Sequence, residues 1–247
     1  MGVYNPFTLE GKTILVTGAS SGIGRGIALA CSKMGAIVII SGRNQQKLDA
    51  TLALLEKGEH RIISADITDS ESVGRMMKLL PVLDGVVHCA GIGQRVLCKM
   101  ATEKDVDTVM DANFKGPALL QTALLKSKKI AKGASIVFIA SMSSWSPSIG
   151  NAFYGASKAA IISYANCLAI ELAPRRIRVN CISPAMVWTD LIFQEGVDEE
   201  QLKVDEQKYL LKRYGTPEDI AYLAIYMLSD ASSWMTGSNV PITGGGN

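Results

Sequence analysis

Thr17-Gly18-Ala19-Ser20-Ser21-Gly22-Ile23-Gly24 is the stretch on which the fold turns. It follows a short aliphatic run, Lys12 to Thr17, and opens a segment in which Ile23, Ile27, Ala30 and Met34 recur at helical spacing. Glycines spaced Gly-x-x-x-Gly-x-Gly between a strand and a helix permit a tight turn. They also let a pyrophosphate approach backbone N–H groups at a helix N-terminus, where the dipole favours negative charge. An ordinary strand-to-helix turn uses glycine too, so the motif draws its meaning from what surrounds it. Gly35 is placed to end the helix, and Ile37-Val38-Ile39-Ile40 follows as an unbroken apolar run, the pattern of a strand covered on both faces.

The same alternation continues along the chain. Seven strands are expected, at Lys12 to Thr17, Ala36 to Ser41, His60 to Ala65, Gly85 to Cys89, Ser135 to Ile139, Arg178 to Ile182 and Asn239 to Ile242. Helical segments between them imply βαβ units, hence a doubly wound parallel α/β sheet of the Rossmann kind with helices on both faces. The longest helix is expected from Ala152 to Ala173, with Ile161, Ala165, Leu168 and Leu172 on one stripe and Pro174 as its stop. Residues 1–247 read as one dinucleotide-binding and catalytic domain, and only 186–214 breaks the rhythm, as a small helical lid over a substrate pocket.

Composition narrows the function. A chain of 247 residues, 48% hydrophobic, buries a sizeable core. Its 25 Lys plus Arg against 23 Asp plus Glu leave a formal charge of +2, too small a footprint for nucleic acid or an anionic membrane. Cys31, Cys89, Cys98, Cys167 and Cys181 form no Cys-x-x-Cys, and neither His60 nor His88 sits in a metal or hydrolase motif, so no metal is expected. No apolar run is long enough to span a membrane, no secretory leader pattern opens the chain, and Pro6 spoils a myristoylation pattern; a cytoplasmic setting is the expectation.

Two further positions carry chemistry. A free ribose 2′-OH calls for an acidic residue at the end of the second strand, whereas Gly42-Arg43-Asn44 stands there. A guanidinium pairs with a 2′-phosphate, which favours NADP(H) over NAD(H); a solvated loop charge is the rival reading of Arg43. Only Tyr154, of seven tyrosines, has a lysine four residues later, Lys158. On a helix the two share a face. A positive charge about 4 Å away at an effective dielectric of about 20 is worth roughly 4 kcal/mol, enough to draw a phenol that titrates near about 10 toward neutrality. Such a tyrosine donates a proton to a carbonyl oxygen, or takes it back.

With Thr17-Gly-x-x-x-Gly-x-Gly, Tyr154-x-x-x-Lys158 and Ser141 thirteen residues before the tyrosine, the chain resembles the short-chain dehydrogenase/reductases, and in particular members that act as 3-oxoacyl-[acyl-carrier-protein] reductases. Asp66, Ala90-Gly91, Asn113 in Asn113-Phe114-Lys115-Gly116, and Pro184 to Thr189 match further family positions. The resemblance implies Tyr154 as general acid/base, Lys158 tuning it and holding the nicotinamide ribose, Ser141 bonded to the substrate carbonyl, and Asn113 anchoring a water-linked relay to Lys158. It implies Gly18, Ser20, Ser21, Gly22, Ile23 and Gly24 around the phosphates, and Asp66 and Ile67 beside the adenine. Ala90, Gly91, Pro184, Val187 and Thr189 would border the rest of the cofactor. Taken singly, Ser141 is as readily a turn hydroxyl, Asn113 a helix residue bonded to nearby backbone, and Asp66 a helix cap.

The family's Asn-Asn-Ala-Gly is His88-Cys89-Ala90-Gly91 here, and its Pro-Gly is Pro184-Ala185. Cys89 is expected as a small buried group, His88 as a satisfied strand residue, and Ala185 at negative φ. By resemblance Trp145, Met186, Trp188 and Phe193 face the substrate, with lid core as the rival reading. Lys126, Lys128, Lys129, Lys132, Arg175 and Arg176 lie where acyl-carrier reductases carry docking residues, although cations at helix ends need no partner. The family pairs its long helices between subunits, which implies a homodimer or homotetramer. The expected activity is NADPH-dependent reduction of a carbonyl, a 3-oxoacyl thioester among the candidates. Oxidation of a sugar, polyol or sterol-like alcohol, or a non-catalytic NADP-binding sensor or scaffold, remains open.

Overall fold

The computed structural model describes residues 4–193 and 198–246. In chain order it runs β1 Thr13–Thr17, α1 Gly22–Lys33, β2 Ile37–Gly42, α2 Gln45–Leu52, β3 Arg61–Ser64, α3 Ser70–Leu79, β4 Leu83–His88, α4 Glu103–Met110 and α5 Gly116–Lys126. Then follow β5 Ile130–Ile139, α6 Ala152–Leu172, β6 Arg178–Pro184, α7 Asp190–Phe193, α8 Glu199–Glu206, α9 Pro217–Leu228 and β7 Asn239–Ile242. The strands form one parallel sheet in the order β3-β2-β1-β4-β5-β6-β7. The chain order reverses between β1 and β4, and in sheets of this kind ligands bind beyond the carboxyl ends of the strands at such a point.

The period-two direction of strand side chains divides the core in two. Ile14 and Val16 of β1, with Val38 and Ile40 of β2, pack under α1, α2 and α9; Leu15 and Ile39 point the other way, toward α3, α5 and α6. Each of these aliphatic side chains is essentially fully buried, worth about 2 kcal/mol apiece. The unbroken apolar runs read in β1 and β2 are thus explained by cover on both faces.

Strand boundaries moved most at β5, which begins at Ile130 and not at Ser135. Leu83 of β4 pairs with Ile130, the register then shifts, and Gly85 pairs with Ser135; Gly133, at φ 80°, lies inside the shift. Lys132 is therefore a strand residue and not part of a helix end. The long helix ends at Leu172, and Ala173–Arg175 tighten into a 3-10 turn closed by Arg176 in left-handed backbone at φ 56°. The basic group, read either as docking residues or as cations at helix ends, sits at the start of β5, whereas Ser141 follows its far end. Within it, Lys129 Nζ donates to the Leu80 carbonyl and Arg175 Nη2 to that of Ile130, so these two cations close backbone ends locally.

Candidate active site

The glycine turn is built by close approach. Gly18 has φ 68°, and a Cβ on it would lie 2.8 Å from Ala90 Cα, which brings the first glycine against the end of β4. A Cβ on Gly24 would stand 2.3 Å from the Gly18 carbonyl oxygen, and one on Gly22, at φ 52°, would stand 3.1 Å from Thr189 Cγ2. Thr17 Oγ1 donates to the Val87 carbonyl and accepts from the N–H groups of Cys89 (3.1 Å) and Ala90 (3.3 Å), tying β1 to β4 at this mouth. The family positions Gly18, Gly22, Gly24, Ala90 and Thr189 thus meet at one place. Ser21, at the N-cap of α1, makes no side-chain cap bond, and the first turn holds no acidic residue. Ser20 lies over the end of β2, its Oγ 3.6 Å from where a Gly42 Cβ would be, while Ile23 packs into the core beneath α1. These unfilled N–H groups and the absent Cβ atoms fit a dinucleotide pyrophosphate.

Next to β2, Arg43 is exposed and Asn44 caps α2 by accepting from the Lys47 N–H. Burial pushes the Asp66 carboxyl up, but the Thr68 hydroxyl (2.7 Å) and N–H (2.9 Å), with the Arg43 charge, hold it below its ordinary value. The helix cap suspected at Asp66 falls instead to Asp69, which accepts from the N–H groups of Glu71 and Ser72. Ile67 packs beside Gly116, whose Cβ would lie 3.2 Å from it.

Ser141, Tyr154, Lys158 and Asn113 come from three segments. Ser141 follows β5, is buried, and its Oγ accepts from the Ser143 N–H at 3.1 Å in a 3-10 turn, Met142–Ser144. A Cβ on Gly155 would stand 2.5 Å from the Ser143 carbonyl, so α6 presses directly on that turn. One helical turn on, Lys158 is buried, with Nζ 5.8 Å from the Tyr154 ring centroid and donating to the Ile139 carbonyl at 2.9 Å. Burial brings the Lys158 ammonium down to about 8, a counterweight that the sequence estimate, made with a permanent charge, did not contain.

Asn113 lies in a π-helical turn, Asp111–Lys115, that joins α4 to α5. Its Oδ1 accepts from the Ile92 N–H at 2.8 Å and its Nδ2 donates to the Ile92 carbonyl at 3.0 Å and to Ser157 Oγ at 3.2 Å. A Cβ on Gly91 would meet Asn113 Oδ1 at 2.8 Å and Lys158 Nζ at 3.4 Å, so both side chains border that glycine. Ser157, which the sequence reading passed over, donates to the Tyr154 carbonyl at 2.7 Å and so fastens Asn113 to the helix of Tyr154 and Lys158. The Tyr-x-x-Ser-Lys spacing was the signal available for it.

The departures resolve unevenly. Cys89 is partly exposed, not wholly buried, and the thiol is pushed up to about 12 by desolvation. His88 is buried, stacked on Phe138 with centroids 4.5 Å apart, and its Nε2 donates to Gln121 Oε1 at 2.9 Å. It is only half satisfied: Nδ1 has no partner, and burial lowers its pKa to about 4. Ala185 is absent from the described residues at positive φ, as expected.

Pro184 ends β6, and Val187, buried, makes a short bridge with Gly215. Trp188 packs on Tyr214, with Tyr209 and Ile192, in a separate apolar cluster joined by Met186. For Trp188 and Met186 the lid-core reading prevails, while Trp145 is 47% exposed. The Phe193 side chain and residues 194–197 lie outside the described residues. Among those residues no group of three or more His, Cys, Asp or Glu is placed to hold a metal, and no helix is long and apolar enough to cross a membrane.

Comparison with known proteins agrees with this geometry. A family model described as enoyl-(acyl carrier protein) reductase matches residues 18–247. The chain is 35% identical over 237 residues to 3-oxoacyl-[acyl-carrier-protein] reductase FabG of Rickettsia felis, covering 96% of this chain and 97% of that one. It is 34% identical over 245 residues to human dehydrogenase/reductase SDR family member 4, covering 96% and 88%. A crystal structure of a putative NAD(P)-dependent gluconate 5-dehydrogenase from Beutenbergia cavernae, with bound NADP at low occupancy, superposes with a TM-score of 0.86 at 31% identity, covering 98% of both chains. Matches of this extent turn the resemblance into membership: the chain belongs to the short-chain dehydrogenase/reductase family and is an oxidoreductase of the NAD(P)-dependent kind.

Proposed function

We propose that the protein reduces a carbonyl to a secondary alcohol with NADPH, a 3-oxoacyl thioester being the favoured substrate. The observation that carries this is the buried Lys158 ammonium, held between the Tyr154 ring and the Ile139 carbonyl and sharing the Gly91 contact with Asn113. A bound nicotinamide supplies the hydride. Tyr154 donates its phenolic proton to the carbonyl oxygen as negative charge grows there, and Lys158 lowers the cost of leaving the phenolate behind. Ser141 Oγ, set by the Ser143 N–H, holds the carbonyl oxygen in reach of Tyr154. Asn113, fixed at both ends of its amide, keeps the Ile92 loop and α6 in register and anchors the path by which Lys158 regains a proton.

Residues 18–24 cradle the pyrophosphate at the open end of α1, with Ala90, Gly91, Pro184, Val187 and Thr189 along the nicotinamide side and Asp66 and Ile67 toward the adenine. Arg43, exposed where an acid would serve a free 2′-OH, favours the 2′-phosphate, and a solved relative carries NADP. The acyl substrate is supported by the Rickettsia relative's activity; that of the Beutenbergia relative keeps oxidation of a sugar acid as the second reading. Residues 1–247 act as one unit with 186–214 as its lid, in the cytoplasm. Assembly into a homodimer or homotetramer through α5 and α6 belongs to the same reading, and the exposure of Leu119 and Ile170 on those helices supports it.

The test is nucleotide and substrate choice. NADPH is expected to bind more tightly than NADH, Arg43→Ala to weaken NADPH at least about tenfold with little effect on NADH, and a 3-oxoacyl thioester to be turned over. Equal affinity for the two nucleotides before and after Arg43→Ala would remove Arg43 from the reading. Turnover of a sugar acid in place of the thioester would select the second one.

A further inference from the structure

The loop that leaves β6 carries Thr189 to the glycine turn, and its hold on the rest of the molecule is short. Trp188 N–H donates to the Gly215 carbonyl at 2.9 Å, and Gly215 N–H to that of Met186 at 3.0 Å, a two-residue bridge between residues 186–188 and 215. Glu206, the last residue of α8, stands across both sides of that bridge. Its Oε1 accepts from the Trp188 indole Nε1 at 2.6 Å and from the Tyr214 backbone N–H at 2.9 Å. Next to it, Asp205 Oδ2 accepts from the buried Tyr214 hydroxyl at 2.7 Å. The Trp188 ring lies 5.3 Å from that of Tyr214. The next residue, Thr189, presents Cγ2 3.1 Å from where a Cβ on Gly22 would stand. A line of contacts thus runs from the end of α8 through Trp188 and Thr189 to the first residue of α1.

We propose that Glu206 is a positioning residue that fixes the Thr189 loop against the dinucleotide turn, so that helix α8 and the cofactor site are set by one carboxylate oxygen. This rests on the cofactor reading above. Apolar packing of Trp188 on Tyr214 and Tyr209 would hold the cluster together without an acceptor. The carboxylate adds direction: a charge-assisted bond to the indole N–H fixes the ring's rotation, and with it the backbone that presents Thr189. Glu206 touches neither substrate nor cofactor, and acts through Trp188 and Tyr214.

The test compares Glu206→Ala, Glu206→Gln, Trp188→Phe and the double variant Glu206→Ala/Trp188→Phe. Glu206→Ala is expected to weaken NADPH binding about tenfold and to raise KM, with kcat and its pH dependence unchanged. Glu206→Gln keeps an acceptor oxygen and is expected to restore most of the affinity. The double variant is expected to lose less than the product of the two single losses, because the Trp188–Glu206 bond is common to both. Unchanged NADPH affinity in Glu206→Ala alongside a lowered Tm, or losses that multiply in the double variant, would overturn the proposal. Tryptophan emission, read in a Trp145→Phe/Trp234→Phe background so that Trp188 alone reports, separates this from the functional reading. A shift on Glu206→Ala supports the Glu206–Trp188 link on which the proposal stands even if no dinucleotide binds, and no shift contradicts the proposal.

Discussion

Helices α1 and α9 pack against each other so closely that a Cβ on Gly26 would stand 2.7 Å from Pro217, yet their first turns are opposites. The start of α9 is sealed. Thr216 and Asp219 form a reciprocal capping box, Pro217 occupies a position that needs no N–H, and Arg213 pairs with the Asp219 carboxylate at 2.6 Å and 3.0 Å. The start of α1 has no side-chain cap, no acid and two glycines. A helix end left with bare N–H groups costs stability unless something else satisfies them, so the contrast separates an end built to hold the fold from one left open to an anion.

The contrast breaks most completely at Gly24. Gly24→Ala puts a methyl group 2.3 Å from the Gly18 carbonyl, so the turn must open and nucleotide binding is expected to vanish in a fluorescence titration. Ser21→Asp gives α1 the kind of cap that α9 has. It is expected to raise Tm slightly while weakening NADPH by about tenfold or more, because a carboxylate then competes for the phosphate's place.

Titration sharpens the comparison from another side. In the free protein Lys158 loses its proton at about 8, below its usual 10.5, because burial disfavours the charge. A step that needs the ammonium is therefore intact below that value, and kcat/KM for reduction is expected to fall as pH rises through about 8. For stability, the buried charge is a cost below about pH 8 that is relieved as pH rises toward 10.5, since the unfolded chain then binds the extra proton. Asp219 behaves oppositely: the Arg213 hydrogen bond leads in holding its pKa at about 2, so its contribution is present above the usual 3.8 and lost as pH falls through about 2. The smallest effect is Thr216→Ala, expected to cost about 1 kcal/mol in a denaturant melt with NADPH affinity unchanged.

Much of this was legible because local pattern and tertiary position agree. The glycine turn, seven strands and long helix follow from periodicity and punctuation, and Tyr154 and Lys158 share the helix their spacing implies, whereas Ser141 and Asn113 were singled out by the family resemblance. What escaped depends on contacts between segments distant in sequence. The π turn around Asn113 has no composition of its own, and its bonds run to Ile92 and Ser157, far along the chain. The early start of β5 is a matter of register against β4, which Lys132-Gly133-Ala134 does not announce. Glu206 reads as one more surface acid at a helix end until the fold brings Trp188 and Tyr214 to it. The half-satisfied His88 is likewise visible only through Gln121.

The most direct test of the central claim is NADPH oxidation by the wild type and by Tyr154→Phe with a 3-oxoacyl thioester, followed by absorbance, with nucleotide affinity measured in parallel. The two proteins are expected to bind NADPH alike, while the variant loses turnover by a factor of about a hundred or more. Turnover by Tyr154→Phe at the wild-type rate would contradict the account.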